Sequence, residues 1–158
     1  MSGMKGASTN PRLHAGARAQ AEAAARRAAV EVRALTTSAE LKAAAQLITD
    51  VWGAPFPEDV LRALVLVGNY VAGAFTPGES MVGAAVAFAA VADEPELHSH
   101  VTGVLTDHQG SGVGLALKLH QRSWALEHGI ETITWTFDPL VRRNAFFNLS
   151  RLGATADR

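Results

Sequence analysis

The sequence contains no cysteine, a single tyrosine and no uninterrupted apolar run of membrane-spanning length. The lack of cysteine excludes both a disulfide framework and thiolate chemistry. A membrane-spanning helix needs roughly 20 apolar residues in succession, and residues 1–27 lack the apolar core of a secretory signal. The formal net charge is −1, so the basic excess of a general nucleic-acid binder is also missing. We therefore expect a cytoplasmic enzyme or binding domain with no membrane or nucleic-acid partner.

The chain divides into a lead of biased composition and a region with regular apolar patterns. Residues 1–29 are rich in alanine, arginine, serine and glycine and lack a strong apolar face, which predicts a disordered or loosely helical extension. Residues 30–158 are expected to form one domain. The chain is 48% hydrophobic and 18% charged, as is ordinary for a globular protein of this length.

Apolar periodicity predicts the order strand, two helices, three strands, helix, strand, helix. Residues 36–38 offer an N-cap for the first helix, with Glu40 in its first turn. The strands are expected at 30–35, 69–75, 81–91, 97–105 and 130–137, and the helices at 38–51, 57–66, 113–128 and 143–152. This order predicts an α/β fold of the α+β type, with a mixed sheet.

A glycine-rich turn links the strand ending at Leu105 to the helix beginning at Val113. Glycines let the backbone curl with its N–H groups pointing inward, and a helix N-terminus carries partial positive charge. Together these features predict an anion site, most naturally for phosphate. No Lys-Ser or Lys-Thr completes a P-loop, and the last glycine of a dinucleotide-binding turn would fall on Leu115 or Leu117.

The spacing that fits is Gln/Arg-x-x-Gly-x-Gly/Ala, as Gln109, Gly112 and Gly114. It resembles the acyl-CoA pyrophosphate loop of the GNAT superfamily of N-acetyltransferases. The element order over residues 30–158 is similar to that family, as is Asn-Ala at 144–145 followed by Leu-Gly at 152–153. The run Trp-Thr-Phe-Asp-Pro-Leu at 135–140 resembles a branch of predicted, uncharacterised GNAT acyltransferases.

The resemblance implies transfer of an acyl group, usually acetyl, from acetyl-CoA to the primary amine of a small molecule or peptide. By the same resemblance, Val104 supplies a backbone N–H to the thioester carbonyl, and Asn144 contacts the pantetheine arm or the loop that holds it. Two strands, ending near Leu105 and Phe137, must splay to admit that arm. The implied pyrophosphate-binding residues are Gln109, Gly110, Ser111, Gly112, Val113 and Gly114.

The acid and the base of such a reaction are left open by the sequence. Many GNAT members carry a tyrosine in the last helix as general acid, but Leu149 holds that position here. Water or Asp138 is the alternative proton donor. The candidates for the base are His100, His98, Glu96 and Asp138, each of which also suits a structural hydrogen bond.

His98 and His100 are two residues apart on a strand, so we expect them to share a face with Thr102 and Val104. No metal site is predicted, because no carboxylate–histidine set completes His98-x-His100. Positions 118 and 120, a lysine and a histidine, are expected on a solvated helix face.

The family fold continues with one or two strands beyond Gly153, whereas five residues follow it here. We therefore expect the final strands to be missing or very short. The alternative is that a partner supplies the missing edge. An unpaired edge would also favour self-association as a homo-oligomer. The alternative function, given this departure and the missing tyrosine, is a non-catalytic acyl-CoA-binding or interaction domain.

Overall fold

The computed structural model describes residues 10–90, 93–136 and 152–155. In these ranges the strands form one sheet in the order β1-β2-β3-β4-β5, antiparallel up to β4, with β5 parallel to β4. The elements are α1 (Pro11–Arg27), β1 (Glu31–Ala34), α2 (Ser38–Trp52), α3 (Glu58–Leu66), β2 (Tyr70–Phe75), β3 (Met81–Ala90), β4 (Glu96–Val104), α4 (Val113–Glu127) and β5 (Thr132–Thr134). The mixed sheet confirms the predicted fold class. Apart from Leu152, the helix expected at 143–152 lies outside the described residues.

Local chemistry sets the ends of α2. The Thr37 hydroxyl accepts from the Glu40 N–H at 3.2 Å, and the Glu40 carboxylate accepts from the Thr36 and Thr37 N–H groups at 3.0 and 3.1 Å. The backbone N–H of Thr36, followed by the Arg33 guanidinium, lowers the pKa of Glu40 to about 2. The helix ends where Gly53 adopts a φ of 71°, which suits glycine. The predicted N-cap is confirmed.

Helices cover both faces of the sheet. One face packs α2 and α3 around Leu41, Ile48 and Val86. The other packs α4 against β2 and β3, with Leu117 as a central side chain. A Cβ on Gly83 would lie 3.0 Å from side-chain atoms of Leu117 and Val113, so α4 approaches the sheet closely because that position is glycine. None of the helices in the described ranges is long and apolar enough to cross a bilayer.

Helix α1 is longer and more closely packed than the sequence predicts. It begins after Asn10, whose side chain accepts from the Arg12 N–H at 3.1 Å. Ala17, Ala21 and Ala24 are buried along one side, and α1 packs against α4. Alanines are too weakly apolar to mark a buried helix face in the sequence. Their small side chains nevertheless let α1 and α4 approach closely. An ion pair of 2.7 Å between Arg18 and Glu127 of α4 flanks this contact.

Candidate functional site

Strands β4 and β5 part early, and this opening is the centre of the site. The two strands pair only from Glu96↔Thr132 to His98↔Thr134. Beyond this fork β4 continues to Val104 while paired with β3 on its other side. Among the described residues, the edge of β4 that faces β5 is therefore open from Ser99 to Val104. The predicted splaying concerns a strand end near Phe137, which lies outside the described residues.

A β-bulge at His100 changes which side chains face each helix layer. Val86 pairs with Val101 and Ala87 pairs with Ser99, so His100 is the extra residue. Ser99 consequently lies on the α4 side of the sheet, and Val101 lies on the α2 side. A one-residue insertion reverses the alternation along the rest of the strand.

The prediction that the two histidines share a face with Thr102 and Val104 is therefore wrong. His98 and His100 do share the α2 side, where both rings contact Phe88 at centroid distances of 5.3 and 5.7 Å. Thr102 lies opposite Ala85, whose methyl belongs to the core on the α4 side. The bulge depends on how β3 pairs, which alternation within one strand does not reveal.

A hydrogen-bonded chain on the α2 side of the fork orients His98. The Thr134 hydroxyl donates to Glu96 Oε1 at 2.5 Å, and His98 Nδ1 lies 3.4 Å from Thr134 Oγ1. Because the hydroxyl proton is used on Glu96, the hydroxyl oxygen accepts from Nδ1–H. In the neutral ring this places the free lone pair on Nε2. The sequence did not predict this set of hydrogen bonds among Glu96, Thr134 and His98, although Glu96 was a candidate base by itself.

His100 occupies a different environment on the same side. It is exposed, and its ring also lies 6.1 Å from that of Phe56 in the segment between α2 and α3. His100 thus stands at the mouth of the opening between two aromatic rings. Both predicted histidines are brought to the fork, where the His98 side chain makes one hydrogen bond, to Thr134, and His100 faces solvent.

Lys118 reaches the fork from the α4 side. Its ammonium donates to Ser99 Oγ at 2.7 Å and lies 5.2 Å from the centroid of the Trp135 ring. Burial lowers the pKa of Lys118 to about 8. The predicted solvated position of this lysine is wrong, because β5 places Trp135 over it. Sequence spacing alone does not show where the next strand lies.

His120 is also partly buried rather than solvated, so that prediction is wrong too. Its Nδ1 lies 2.9 Å from the hydroxyl of Tyr70, which is 1% exposed. Burial lowers the pKa of His120 and raises that of Tyr70. Tyr70, the chain's single tyrosine, is thus enclosed between β2 and α4 and away from the open edge.

The open edge of β4 ends at the glycine turn. The Leu105 N–H donates to Val82 of β3 at 3.0 Å. Successive N–H groups of a strand point to opposite edges, so the Val104 N–H points into the opening. The Val104 carbonyl on the same edge accepts from Gln109 Nε2 at 3.0 Å. Val104 and Gln109 are thus placed together, as the predicted site requires.

The N-terminus of α4 presents bare backbone amides beside this edge. Gly110 and Gly112 have φ values of 82° and 94°, and Gly112 caps the helix without a side-chain hydrogen bond. The first N–H groups of a helix have no partner within it. Among the described residues, a Cβ on Gly114 would meet Val104 Cγ2 at 3.9 Å and nothing nearer. The turn thus combines two glycines of positive φ with a helix N-terminus, with Ser111 exposed and Val113 buried beneath it.

Two predicted site residues, Asp138 and Asn144, lie outside the described residues. The others fall into two groups, at the two ends of one open edge. His98 and His100 lie at the fork, and Val104 with residues 109–114 lies at the glycine turn. Lys118, Ser99 and Thr134 join the fork without having been predicted as functional.

No protein-family model and no curated protein sequence matches the chain. Solved structures do match it. An aminoglycoside acetyltransferase from an uncultured soil metagenomic sample, in complex with sisomicin, has a TM-score of 0.70 at 17% identity over 82% of this chain and 92% of that one. An acetyltransferase of Trypanosoma brucei has a TM-score of 0.67 at 16% identity over 82% and 94%. A transcriptional regulator from Bacillus halodurans has a TM-score of 0.64 at 20% identity over 82% and 95%.

These similarities cover 82% of this chain and more than nine-tenths of each of the other three chains. At such identities they show the architecture and not the substrate. The chain has a GNAT-like fold, which it shares with these two acetyltransferases.

Proposed function

We propose that this protein transfers an acyl group, usually acetyl, from acyl-CoA to a primary amine by direct attack in a ternary complex. The observation that carries the proposal is the open edge of β4, which joins the fork at Ser99 to the amides at the start of α4. At about 3.3 Å per residue this edge is roughly 17 Å long. An extended pantetheine arm can follow it, with its amides paired to backbone groups of the edge.

The cofactor-binding residues fit a diphosphate without a lysine. The amides of Gly112, Val113 and Gly114 lie at the N-terminus of α4, where the helix dipole favours an anion. The buried Thr102 hydroxyl, on the α4 side of the open edge, has no hydrogen-bond partner among the described residues. An unpaired buried polar group beside an opening is able to bond to a ligand that enters it.

The N–H groups of the edge have separate tasks in this proposal. Val104 lies six positions from His98, roughly 20 Å along an extended strand, so the two residues cannot both touch one thioester. We therefore assign the Val104 N–H to the pantetheine arm. The Thr102 N–H points into the same opening nearer the fork, and we assign it to the thioester carbonyl oxygen. One well-placed donor to a developing oxyanion contributes about 2.7–4 kcal/mol.

His98 is the base that the geometry favours over His100. Its Nδ1–H donates to Thr134, so Nε2 is free to accept the one proton that a neutral acceptor amine loses as its nitrogen bonds to the acyl carbon. His100 stands exposed between Phe56 and Phe88, where it lines the entry of the amine. Asp138 stays a predicted acid or base, and Asn144 a predicted pantetheine contact.

The test is to incubate the protein with acetyl-CoA and a panel of primary amines, small molecules and peptides, and to follow free thiol and the mass of the product. The expected result is acetylated amine in step with thiol release. His98→Gln should lower kcat by about 100-fold or more, whereas His14→Gln on α1 should leave kcat unchanged. CoA binding without any acetylated amine would refute catalysis and identify a non-catalytic acyl-CoA-binding domain.

A further inference from the structure

Lys118 stands where β4 and β5 separate. His98 and Thr134 form the last pair of the two strands, and Ser99 and Trp135 are the next residues on each. The Lys118 ammonium is held between those two residues, at 2.7 Å from Ser99 Oγ and 5.2 Å from the Trp135 ring centroid. The fork thus has an ammonium on its α4 side and an imidazole on its α2 side.

The charge of Lys118 is not compensated within the described residues. It makes no ion pair there, and burial is the one cause of its lowered pKa. The ionisable side chains of β4, Glu96, His98 and His100, all lie on the other side of the sheet. His120 of α4 is bonded to Tyr70. A partly buried ammonium that has no counter-ion among the described residues and lies beside an opening is a candidate functional group.

We propose that Lys118 donates the proton to the CoA sulfur when the acyl group leaves it. This inference rests on the proposed acyl transfer. As the amine nitrogen bonds to the acyl carbon, the C–S bond breaks and its electron pair goes to sulfur. One Nζ proton passes to that sulfur, and His98 takes the proton that the amine loses. Solvent then restores Lys118 and His98 to their starting protonation states.

In this role Lys118 acts as the general acid for the leaving sulfur. The resemblance places Leu149 where other GNAT members carry the acidic tyrosine. Tyr70 is enclosed and bonded to His120, so it does not reach the opening. The Lys118 ammonium is a proton donor that lies at the fork, on the face of the sheet that α4 covers.

A titration of the thiol of bound CoA tests the inference without turnover. The thiolate is followed by its ultraviolet absorption as pH rises, in wild type, Lys118→Met and Lys118→Arg. Lys42→Met, which removes an exposed lysine of α2, is the matched control. An ammonium at close range should lower the pKa of the bound thiol by about 1 to 3, a ten- to thousand-fold rise in thiolate fraction. The effect should vanish in Lys118→Met and persist in Lys118→Arg and Lys42→Met.

CoA lacking its sulfur separates the possible failures. It should bind wild type and Lys118→Met equally, since the proposed contact is to sulfur. If wild type binds neither form of CoA, the proposed function and this inference both fall. If acetyl transfer occurs but the bound thiol titrates alike in wild type and Lys118→Met, only this inference falls. An acetyl group found on Lys118 by mass spectrometry after incubation with acetyl-CoA would also overturn it, since the lysine would then be a nucleophile.

Discussion

Replacing Lys118 by methionine should stabilise the protein at neutral pH, although it removes a hydrogen bond. The pKa of this lysine falls from an ordinary 10.5 to about 8, which corresponds to a burial cost of about 3 kcal/mol for the charged form. Losing the bond to buried Ser99 costs about 1 kcal/mol. Lys118→Met should therefore raise the free energy of unfolding by about 2 kcal/mol at pH 7.

The pH dependence carries the sharper test. Between pH 8 and 10.5 the unfolded chain binds the Lys118 proton and the folded chain does not, so wild-type stability rises with pH. The advantage of Lys118→Met is thus full below pH 8 and is lost by about pH 10.5. Urea unfolding of both proteins across this range should show their difference change by about 3 kcal/mol. Lys42→Met should show no such change, and parallel curves for wild type and Lys118→Met would refute the reasoning.

Three further outcomes follow from described contacts. Thr134→Val removes the hydroxyl that orients His98, so kcat should fall about tenfold or more with KM little changed, and an unaltered kcat would contradict the relay. Glu40→Gln should lower the free energy of unfolding by about 2 kcal/mol at pH 7. Because the pKa of Glu40 is depressed to about 2, that loss should shrink as pH falls from about 4.5 to 2, as denaturant titrations at several pH values would show. Gly83→Ala forces a methyl against Leu117 and should cost about 1–3 kcal/mol in the same assay; no cost would show that α4 can shift.

Local chemistry explains why the sequence predicts the elements well. The capping pair Thr37 and Glu40, the stop at Gly53 and the glycine turn act over a few residues, so their effect is visible in the order of side chains. The continuous apolar run of β3 likewise reflects a strand that is covered on both faces over most of its length. Splaying of β4 and β5 followed from the resemblance and from the need to admit a ligand.

Tertiary pairing explains what the sequence does not show. The bulge at His100 exists only relative to β3, so alternation within β4 gives the wrong face for Thr102. The position of Lys118 along α4 predicts a solvated side chain. In the fold, Trp135, which follows β5, covers it. The alanines of α1 carry too little apolar area to predict a packed helix, yet their small size is what allows the close contact with α4.

The most direct test is a calorimetric titration with CoA of wild type and of Gly114→Glu. The added carboxylate lies in the first turn of α4, where its interaction with the helix dipole stabilises the helix. It would also occupy the proposed anion site. Gly16→Glu is the matched control, because it makes the same charge change at an open position of α1. We expect wild type and Gly16→Glu to bind CoA and acetyl-CoA in preference to ATP and NAD, and Gly114→Glu to lose at least tenfold in affinity while unfolding at an equal or higher temperature. Equal CoA affinity in all three proteins, or none in wild type, would show that these amides do not hold the diphosphate.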